Sequence, residues 1–418
     1  MNYDLIVVGG GPGGLMAALT AAQDGMRVLL LERKKAIGDI SRACLQILYV
    51  KPFSPLAGGK TYMEPVTVKM GASSAFLINQ NIGFTIEYRG QLRPYLNWLQ
   101  ISPRGNVINR FKVNESPWGF YYQKDVFCRE LFDKAVLAGV TVRLEAIAEH
   151  AENTSSGVRI TVKSDSGHEV LKARNAVIAD GVQSHIADSI GFDRERRVLA
   201  EGMGGVSYIL DGIESPFPSC SLLSFSIPSL DPKMNIIIGQ MADNMNSLGG
   251  LSVNWEEIRD HPTFAPMFRK ARLVQKRAWA ANIRTPIRSP VSGNCVVVGD
   301  AAAPTETWIM GAVACGYQAV KAINKERNGE KGFTDYIRWW QGAFAFNQPD
   351  YFSIVSNYYG FNRVCNDEDI DFLYDLFKDR IGIPGPIIAS NMELIAEVNP
   401  GLHRKLLQAL ETSMWQKR

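Results

Sequence analysis

The sequence predicts an α/β fold that opens with a nucleotide-binding βαβ unit and continues into a strand-rich region and a helical carboxyl-terminal region. The continuously apolar run at residues 3–8 is followed by a glycine-rich turn and then by a helix of small residues at 15–24. A second apolar run at 27–32 completes the unit, and such units form parallel sheets with right-handed crossovers. Residues 331–418 are rich in aromatic side chains and are predicted to be helical.

The middle of the chain is predicted to be mostly strand and loop. Residues 45–118 mix proline, glycine and short apolar runs without a sustained helical period. A helix is predicted at 125–138, where apolar residues recur on one face before Gly139. The alternation of Val158, Ile160 and Val162 before a Ser-Gly pair predicts a hairpin.

Two further buried strands are predicted at 176–179 and 295–298, followed by Asp180-Gly181 and Gly299-Asp300 respectively. A helix is predicted at about 311–326. The predicted domains are a discontinuous nucleotide-binding domain (1–45, 119–197 and 282–330), a strand-rich substrate domain (46–118 and 198–281) and a helical region (331–418).

Composition excludes several classes of protein. The chain has 418 residues, 46% of them hydrophobic and 21% charged, which is typical of globular proteins rather than collagen-like or disordered ones. The net charge is only +3 and no Lys/Arg block stands out, so nothing favours a nucleic-acid partner. No run reaches the roughly 18 apolar residues of a membrane span, and no signal peptide is recognised. The six cysteines are scattered without a C-x-x-C pair, which favours reduced thiols in a cytoplasmic enzyme without a metal site.

The strongest motif is Gly9-x-Gly11-x-x-Gly14 between the first strand and the first helix. Its glycines allow a tight turn, a close approach of the backbone to a pyrophosphate and close helix–strand packing. The helix amino terminus offers free N–H groups to the phosphates. Glu32 ends the second strand near the spacing at which a carboxylate binds an adenosine ribose. Together these residues predict a Rossmann-type dinucleotide site.

The glycine motif alone does not distinguish FAD from NAD, but two later motifs do. Residues 179–184 (ADGVQS) and 295–302 (CVVVGDAA) resemble motifs of FAD-dependent oxidoreductases with the para-hydroxybenzoate hydroxylase fold, and they occur in the same order along the chain. That resemblance implies that Asp300 binds the flavin ribitol and that Asp180 lies near the cofactor. The helix beginning near Gly311 would then direct its positive dipole end towards the flavin ring.

Within this fold the chain is most similar to the geranylgeranyl reductase family. Residues 32–44 (ERKKAIGDISRAC) resemble its pattern of an acid, a basic pair, a glycine and one cysteine beside the flavin, and residues 119–131 resemble its helix-opening segment. Lys124 stands where that family has Arg. The motif and the resemblance together predict FAD bound by Gly9, Gly11, Pro12, Gly13, Gly14, Glu32, Arg33, Arg42, Ala43, Cys44, Lys124, Ala148, Asp180, Gly181, Gly299, Asp300, Gly311 and Ala312.

The chain departs from that family on the substrate side. The family's Tyr, Trp and Phe-Pro motif is absent, and the nearest segment begins at Asn235 with three isoleucines. Met310 and Ala312 stand where glycines are common. These departures bring a polyprenyl substrate into question and leave the FAD prediction intact.

Cys44 and Trp308 are the predicted catalytic residues. Cys44 is either a thiol beside the flavin or a small buried hydrophobe, the commonest role of a free cysteine. Trp308 either flanks the flavin or fills the core. Cys44 and Tyr49 are the candidates for a general acid.

The expected activity is FAD-dependent reduction of a carbon–carbon double bond in an apolar or amphipathic small molecule. Transiently bound NAD(P)H or a reduced carrier protein would supply the electrons. Two alternatives remain open: an aromatic monooxygenase using NAD(P)H and O2, and an electron-relay flavoprotein that docks a partner protein. Contact of the aromatic carboxyl-terminal region with a membrane surface is a minority expectation.

Overall fold

The computed structural model describes residues 3–40, 42–51, 66–111, 116–165, 167–192, 196–250, 253–304, 307–349, 351 and 361–411. The strands are β1 (Tyr3–Val8), β2 (Val28–Leu31), β3 (Ile47–Tyr49), β4 (Thr67–Met70), β5 (Ala75–Asn79), β6 (Phe84–Tyr88), β7 (Leu92–Tyr95), β8 (Asn97–Ile101), β9 (Val107–Asn109), β10 (Gly119–Tyr122), β11 (Thr141–Arg143), β12 (Ile147–Thr154), β13 (Gly157–Ser164), β14 (Gly167–Ile178), β15 (Val198–Asp211), β16 (Ser221–Phe225), β17 (Ile236–Gln240), β18 (Asn246–Gly250), β19 (Arg272–Arg284), β20 (Val291–Ser292) and β21 (Cys295–Val297).

The helices alternate with these strands and dominate the last part of the chain. They are α1 (Pro12–Gln23), α2 (Lys124–Leu137), α3 (His185–Ser189), α4 (Trp255–Asp260), α5 (Ala265–Phe268), α6 (Trp308–Arg327), α7 (Gly332–Ala343), α8 (Asp367–Leu376), α9 (Pro384–Ala389), α10 (Met392–Val398) and α11 (Pro400–Glu411).

The first sheet has the order β11-β2-β1-β14-β13-β12, with β21 beside β14 and β20 beside β21. Strand β1 is parallel to both β2 and β14, and β14 is parallel to β21. Leu5, Ile6 and Val7 are fully buried, as expected for a parallel sheet covered on both faces. Helix α1 packs against both α2 and α6. The predicted α/β fold with its opening βαβ unit is confirmed.

The second sheet has the order β19-β15-β18-β17-β16-β8-β9. One face carries aliphatic and aromatic side chains that form a separate core with α4 and α5. The predicted strand-rich region around residues 198–281 is therefore present. Two three-stranded sheets, β3-β10-β7 and β4-β5-β6, account for much of the segment between β2 and α2.

The carboxyl-terminal helices bury a third core that also includes Ile108 of β9. Among the aromatic residues of the carboxyl-terminal region, Trp340 and Phe344 are buried in the main core. Phe352, Tyr358 and Tyr359 lie outside the described residues. The division into domains stays a prediction.

Three element boundaries differ from the prediction by more than one residue. Helix α1 begins at Pro12 rather than residue 15, because proline suits the first helical turn, where its missing N–H leaves no bond unmade. The strand predicted at 176–179 is the end of the longer β14. Helix α6 begins at Trp308 rather than near Gly311. Trp308 has φ +62°, a left-handed conformation that no spacing rule anticipates at a tryptophan.

Candidate functional site

A cavity of about 880 Å³ extends from the glycine-rich loop after β1 to the second sheet and the carboxyl-terminal helices. All the predicted cofactor residues except Gly14 and Gly311 line it. The cavity therefore joins segments more than 280 residues apart, as a dinucleotide held at both ends requires. Its size falls within the roughly 300–1,000 Å³ of small-molecule sites.

The glycine-rich loop forms an open cradle. Gly9 has φ +105°, and a Cβ there would lie 2.3 Å from the Ala179 carbonyl oxygen. A Cβ on Gly14 would lie 1.9 Å from the Gly9 carbonyl oxygen, so the loop can fold back closely only with glycine. Gly11 is different, because a Cβ there would meet no atom within 4 Å. No side chain caps α1 at Gly11, so its first N–H groups are available for a pyrophosphate.

Glu32 is fixed behind this cradle. The Gly10 N–H donates to Glu32 Oε2 at 2.6 Å, and the Lys34 N–H donates to Oε1 at 2.9 Å. Glu32 is only 9% exposed and lines the cavity. The end of β2 therefore presents a carboxylate in one orientation, as a ribose-binding acid requires. Arg33, in the loop after β2, and Ala148, near the start of β12, also line the cavity.

Asp300 lies in the short turn after β21. Its Oδ1 accepts hydrogen bonds from the Thr307 backbone N–H at 2.8 Å and from the Thr307 hydroxyl at 3.2 Å. Its Oδ2 lies 4.0 Å from Arg42 Nη1. The carboxylate thus connects the end of β21 to the start of α6 while its side chain lines the cavity. Gly299, Ala312 and Trp308 form the adjoining wall.

Asp180 has an unsatisfied oxygen. It follows β14 and lines the cavity beside Gly181. Its Oδ2 accepts from the Ile186 N–H at 3.4 Å, whereas the buried Oδ1 has no hydrogen-bond partner among the described residues. Burial raises the pKa of this carboxyl above its ordinary value. A buried polar atom without a partner beside an open cradle is what a site for a polar ligand shows.

Helix α2 starts at the cavity, and Gln46 orients its first residue. The Lys124 backbone N–H donates to Gln46 Oε1 at 2.8 Å, so this side chain caps the helix. Gln46 has φ +54°, and both residues line the cavity. Lys124 was predicted, but Gln46 was not, because its capping partner lies 78 residues away.

The predicted catalytic residues Cys44 and Trp308 both line the cavity. Cys44 is partly buried, and its Sγ accepts from the Gln46 N–H at 3.4 Å. The rings of Trp308 and Tyr49 have centroids 3.9 Å apart, and both line the cavity. Trp98 stands beside Tyr49 at a centroid distance of 6.3 Å. Tyr49 and Trp308 therefore lie side by side, Cys44 lines the same cavity, and the roles of all three remain predictions.

Gly14 and Gly311 lie behind the wall of the cavity rather than on it. Gly14 serves helix–loop packing. A Cβ on Gly311 would approach the Phe344 ring to 3.0 Å, so this glycine permits packing against the residue that follows α7. The first turn of α6, from Trp308, takes the place at the cavity that was predicted for a helix starting at Gly311.

A polar wall on the second sheet was not predicted from the sequence. Gln100, Ser224 and Asn235 line the cavity together with Asn362 from the carboxyl-terminal region. Ser224, between Leu223 and Phe225 in β16, was the available signal, but a single polar residue does not reveal which face of the strand meets a cavity.

The residues present fit an FAD cofactor on three counts: the open face at Gly11, the buried oxygen of Asp180 and the carboxylates of Glu32 and Asp300 that line the same cavity. Within the described ranges, no cluster of three or more His, Cys, Asp or Glu residues could hold a metal ion. Among the same residues, no helix has the length and apolar character needed to cross a bilayer.

Comparison with known proteins agrees with this geometry. The FAD binding domain family matches residues 2–210. The chain is 23% identical to digeranylgeranylglycerophospholipid reductase 1 of Methanococcoides burtonii, with 97% of each chain covered. It is 24% identical to the digeranylgeranylglycerophospholipid reductase of Methanocaldococcus jannaschii, over 81% of this chain and 82% of that protein.

Solved structures show the same fold. A geranylgeranyl bacteriochlorophyll reductase-like protein of Thermoplasma acidophilum superposes with a TM-score of 0.65 at 17% identity, covering 97% of this chain and 99% of that one. A p-nitrophenol 4-monooxygenase of Pseudomonas putida superposes with a TM-score of 0.64 at 14% identity, covering 96% and 98%. From its dinucleotide cradle, its matched domain and these relatives, the chain belongs to the FAD-binding domain family and is an FAD-dependent oxidoreductase of the geranylgeranyl reductase type.

Proposed function

We propose that this protein reduces a carbon–carbon double bond in an apolar or amphipathic small molecule bound beside the flavin. The observation that carries the proposal is the continuity of the cavity: the residues predicted to hold FAD and the walls of the second sheet and carboxyl-terminal helices line the same space. The names of the relatives support a lipid-like substrate. Bound FAD would supply a hydride or single electrons.

The chain's own residues would hold the cofactor and shape the substrate space. Glu32 and the α1 amino terminus would bind the adenylate and pyrophosphate, and Asp300 would bind the ribityl chain. The amino terminus of α6, a helix of 20 residues, contributes a positive dipole end at the cavity wall. This favours negative charge on a group bound there.

Reduction of a double bond also needs a proton at the second carbon. Tyr49 and Cys44 are the candidate donors, since both line the cavity, and Tyr49 lies beside Trp308. Tyr49 is only 4% exposed, so its surroundings exclude most water. A donor in such a position would deliver its proton to bound substrate rather than exchange freely with solvent.

The test is an anaerobic single-turnover assay. The purified holoprotein is reduced with dithionite and mixed with an alkene-containing lipid, and flavin reoxidation is followed with product analysis by mass spectrometry. The proposal expects reoxidation that depends on the alkene and yields a product heavier by two hydrogens. Formation of a hydroxylated product only after oxygen is admitted would instead support a monooxygenase.

The source of electrons is tested separately. Mixing the oxidised holoprotein with NADH or NADPH without oxygen should bleach the flavin if a nicotinamide is the direct donor. If neither bleaches it, a reduced carrier protein is the remaining donor of the proposal. Reoxidation by a co-purifying redox protein but by no alkene would favour an electron-relay function.

A further inference from the structure

We propose that a polar wall formed by Gln100, Asn235 and Asn362 selects a substrate that carries an acceptor oxygen, as a carbonyl or carboxylate, on the part that lies over the second sheet. This inference rests on the proposed function and narrows its substrate class. This polar wall would discriminate against a substrate that is a pure hydrocarbon.

The first observation is the difference between the two faces of the second sheet. Residues 99, 101, 223, 225, 236, 238 and 248 face the core shared with α4 and α5 and are all aliphatic or phenylalanine. The residues between them point to the other face. There, Gln100 pairs with Ser224, Ser224 with Ile237, and Ile237 with Gly249 in the strand register. This second face lines the cavity.

The second observation is a connected network of amides and hydroxyls on that face. Asn235 Nδ2 donates to Ser224 Oγ at 3.0 Å and to Gln100 Oε1 at 3.4 Å. Asn362 Nδ2 crosses from the carboxyl-terminal region to donate to Asn235 Oδ1 at 3.0 Å. Asn362 Oδ1 in turn accepts from the Ser226 hydroxyl at 2.7 Å. The network therefore fixes the amide orientations on both walls.

The network leaves one donor group unused. No described residue accepts a hydrogen bond from Gln100 Nε2, although Gln100 is only 6% exposed and lines the cavity. A hydrocarbon lying over this amide would strip it of water without offering a partner, whereas an acceptor oxygen would satisfy it. A site built in this way discriminates strongly against a ligand that lacks the group.

The charged side chains that line the cavity beside the network are basic. Lys233 lies two residues before Asn235, and Arg363 directly follows Asn362; both line the cavity. Arg110, also in the lining, stacks over the Trp98 ring at 4.1 Å. The acidic residues that the structure shows lining the cavity are Glu32, Asp39, Asp180 and Asp300, which belong to its cofactor end. The second-sheet end thus favours an oxygen with partial or full negative charge.

The experiment measures selectivity for a matched pair of probes. FAD-loaded protein is titrated with methyl 9-decenoate and with 1-decene, and binding is followed by the change in the flavin absorption spectrum. The ratio of the two dissociation constants is compared between wild type and Gln100→Met, which keeps a linear side chain and removes the amide. The preference for the ester should fall roughly three- to tenfold, the effect of losing one neutral hydrogen bond.

Two further variants make the result decisive. Asn235→Leu, which removes the centre of the network, should lower the preference at least as much as Gln100→Met. Ile237→Leu, on the same wall and without a polar atom, should leave the ratio within twofold of wild type. Flavin content and thermal melting establish that each variant is folded, and if Asn235→Leu does not fold, Gln100→Met alone decides.

An unchanged ratio in Gln100→Met with normal flavin content, or no binding of either probe, would overturn the proposal. These results are distinct from failure of the proposed function. Alkene-dependent reoxidation of reduced flavin together with an unchanged ratio would retain the reductase and remove the polar wall. A shifted ratio without any reoxidation would retain the polar wall and remove the reductase.

Discussion

Replacing Glu32 by Gln tests the anchor of the adenosine end. The carboxylate now accepts from two backbone N–H groups, one through each oxygen, at 2.6 Å from Gly10 and 2.9 Å from Lys34. An amide keeps one acceptor oxygen and turns its NH2 group towards the other N–H. The variant therefore loses one charge-assisted hydrogen bond and leaves a donor unpaired at a residue only 9% exposed.

That loss corresponds to about 1.5–3 kcal/mol in the free energy of unfolding. The same carboxylate is the predicted partner of the FAD ribose, so FAD affinity should fall roughly ten- to a hundredfold. Thermal or denaturant unfolding with and without added FAD measures the first quantity. Titration of apoprotein by quenching of FAD fluorescence measures the second.

The matched control is Glu152→Gln, which alters an exposed pair with Arg159 between two neighbouring strands. Such surface pairs contribute no more than about 1 kcal/mol. If Glu32→Gln and Glu152→Gln have the same free energy of unfolding and the same FAD affinity, then Glu32 anchors neither the loop nor the cofactor. That result would contradict the role given to the carboxylate at the end of β2.

Three other predictions concern the same cavity. Asp300→Ala should weaken FAD binding at least tenfold, because it removes the predicted ribityl partner and the acceptor of both Thr307 hydrogen bonds; fluorescence titration of apoprotein checks this. Gly11→Val should leave the melting temperature of apoprotein nearly unchanged but lower flavin content at least tenfold, since its side chain would enter open space in the cradle; a normal flavin content would contradict the cradle. Burial raises the pKa of Asp180, so folding favours its protonated form. Above about pH 4 the apoprotein should therefore lose stability relative to Asp180→Asn as the pH rises, which urea unfolding at several pH values measures. Parallel pH dependences of the two proteins would exclude this contribution.

The nucleotide end of the site could be predicted because its residues are close together in the sequence. The loop from Gly9 to Gly14 and the acid at Glu32 belong to a single βαβ unit, in which spacing along the chain sets spacing in space. Asp300 was reached by resemblance rather than by spacing, and it does line the same cavity.

The parts that could not be predicted depend on distant partners. Asn362 donates to Asn235 across 127 positions, and neither residue has a periodicity that would indicate the other. Helix α6 was placed three residues late because its start depends on Trp308 adopting φ +62°, a conformation that sequence preference assigns to glycine. Tertiary contacts, including the 3.9 Å ring pair with Tyr49, surround that conformation.

The most direct test of the central claim is the identity of the molecule released when purified protein is denatured. Mass spectrometry and the absorption spectrum of the released fraction should show FAD in a stoichiometric amount, retained by wild type and depleted in Asp300→Ala and Glu32→Gln. Release of FMN or a nicotinamide dinucleotide instead, or FAD retention by both variants at the wild-type level, would contradict the claim that these two carboxylates hold opposite ends of one flavin dinucleotide.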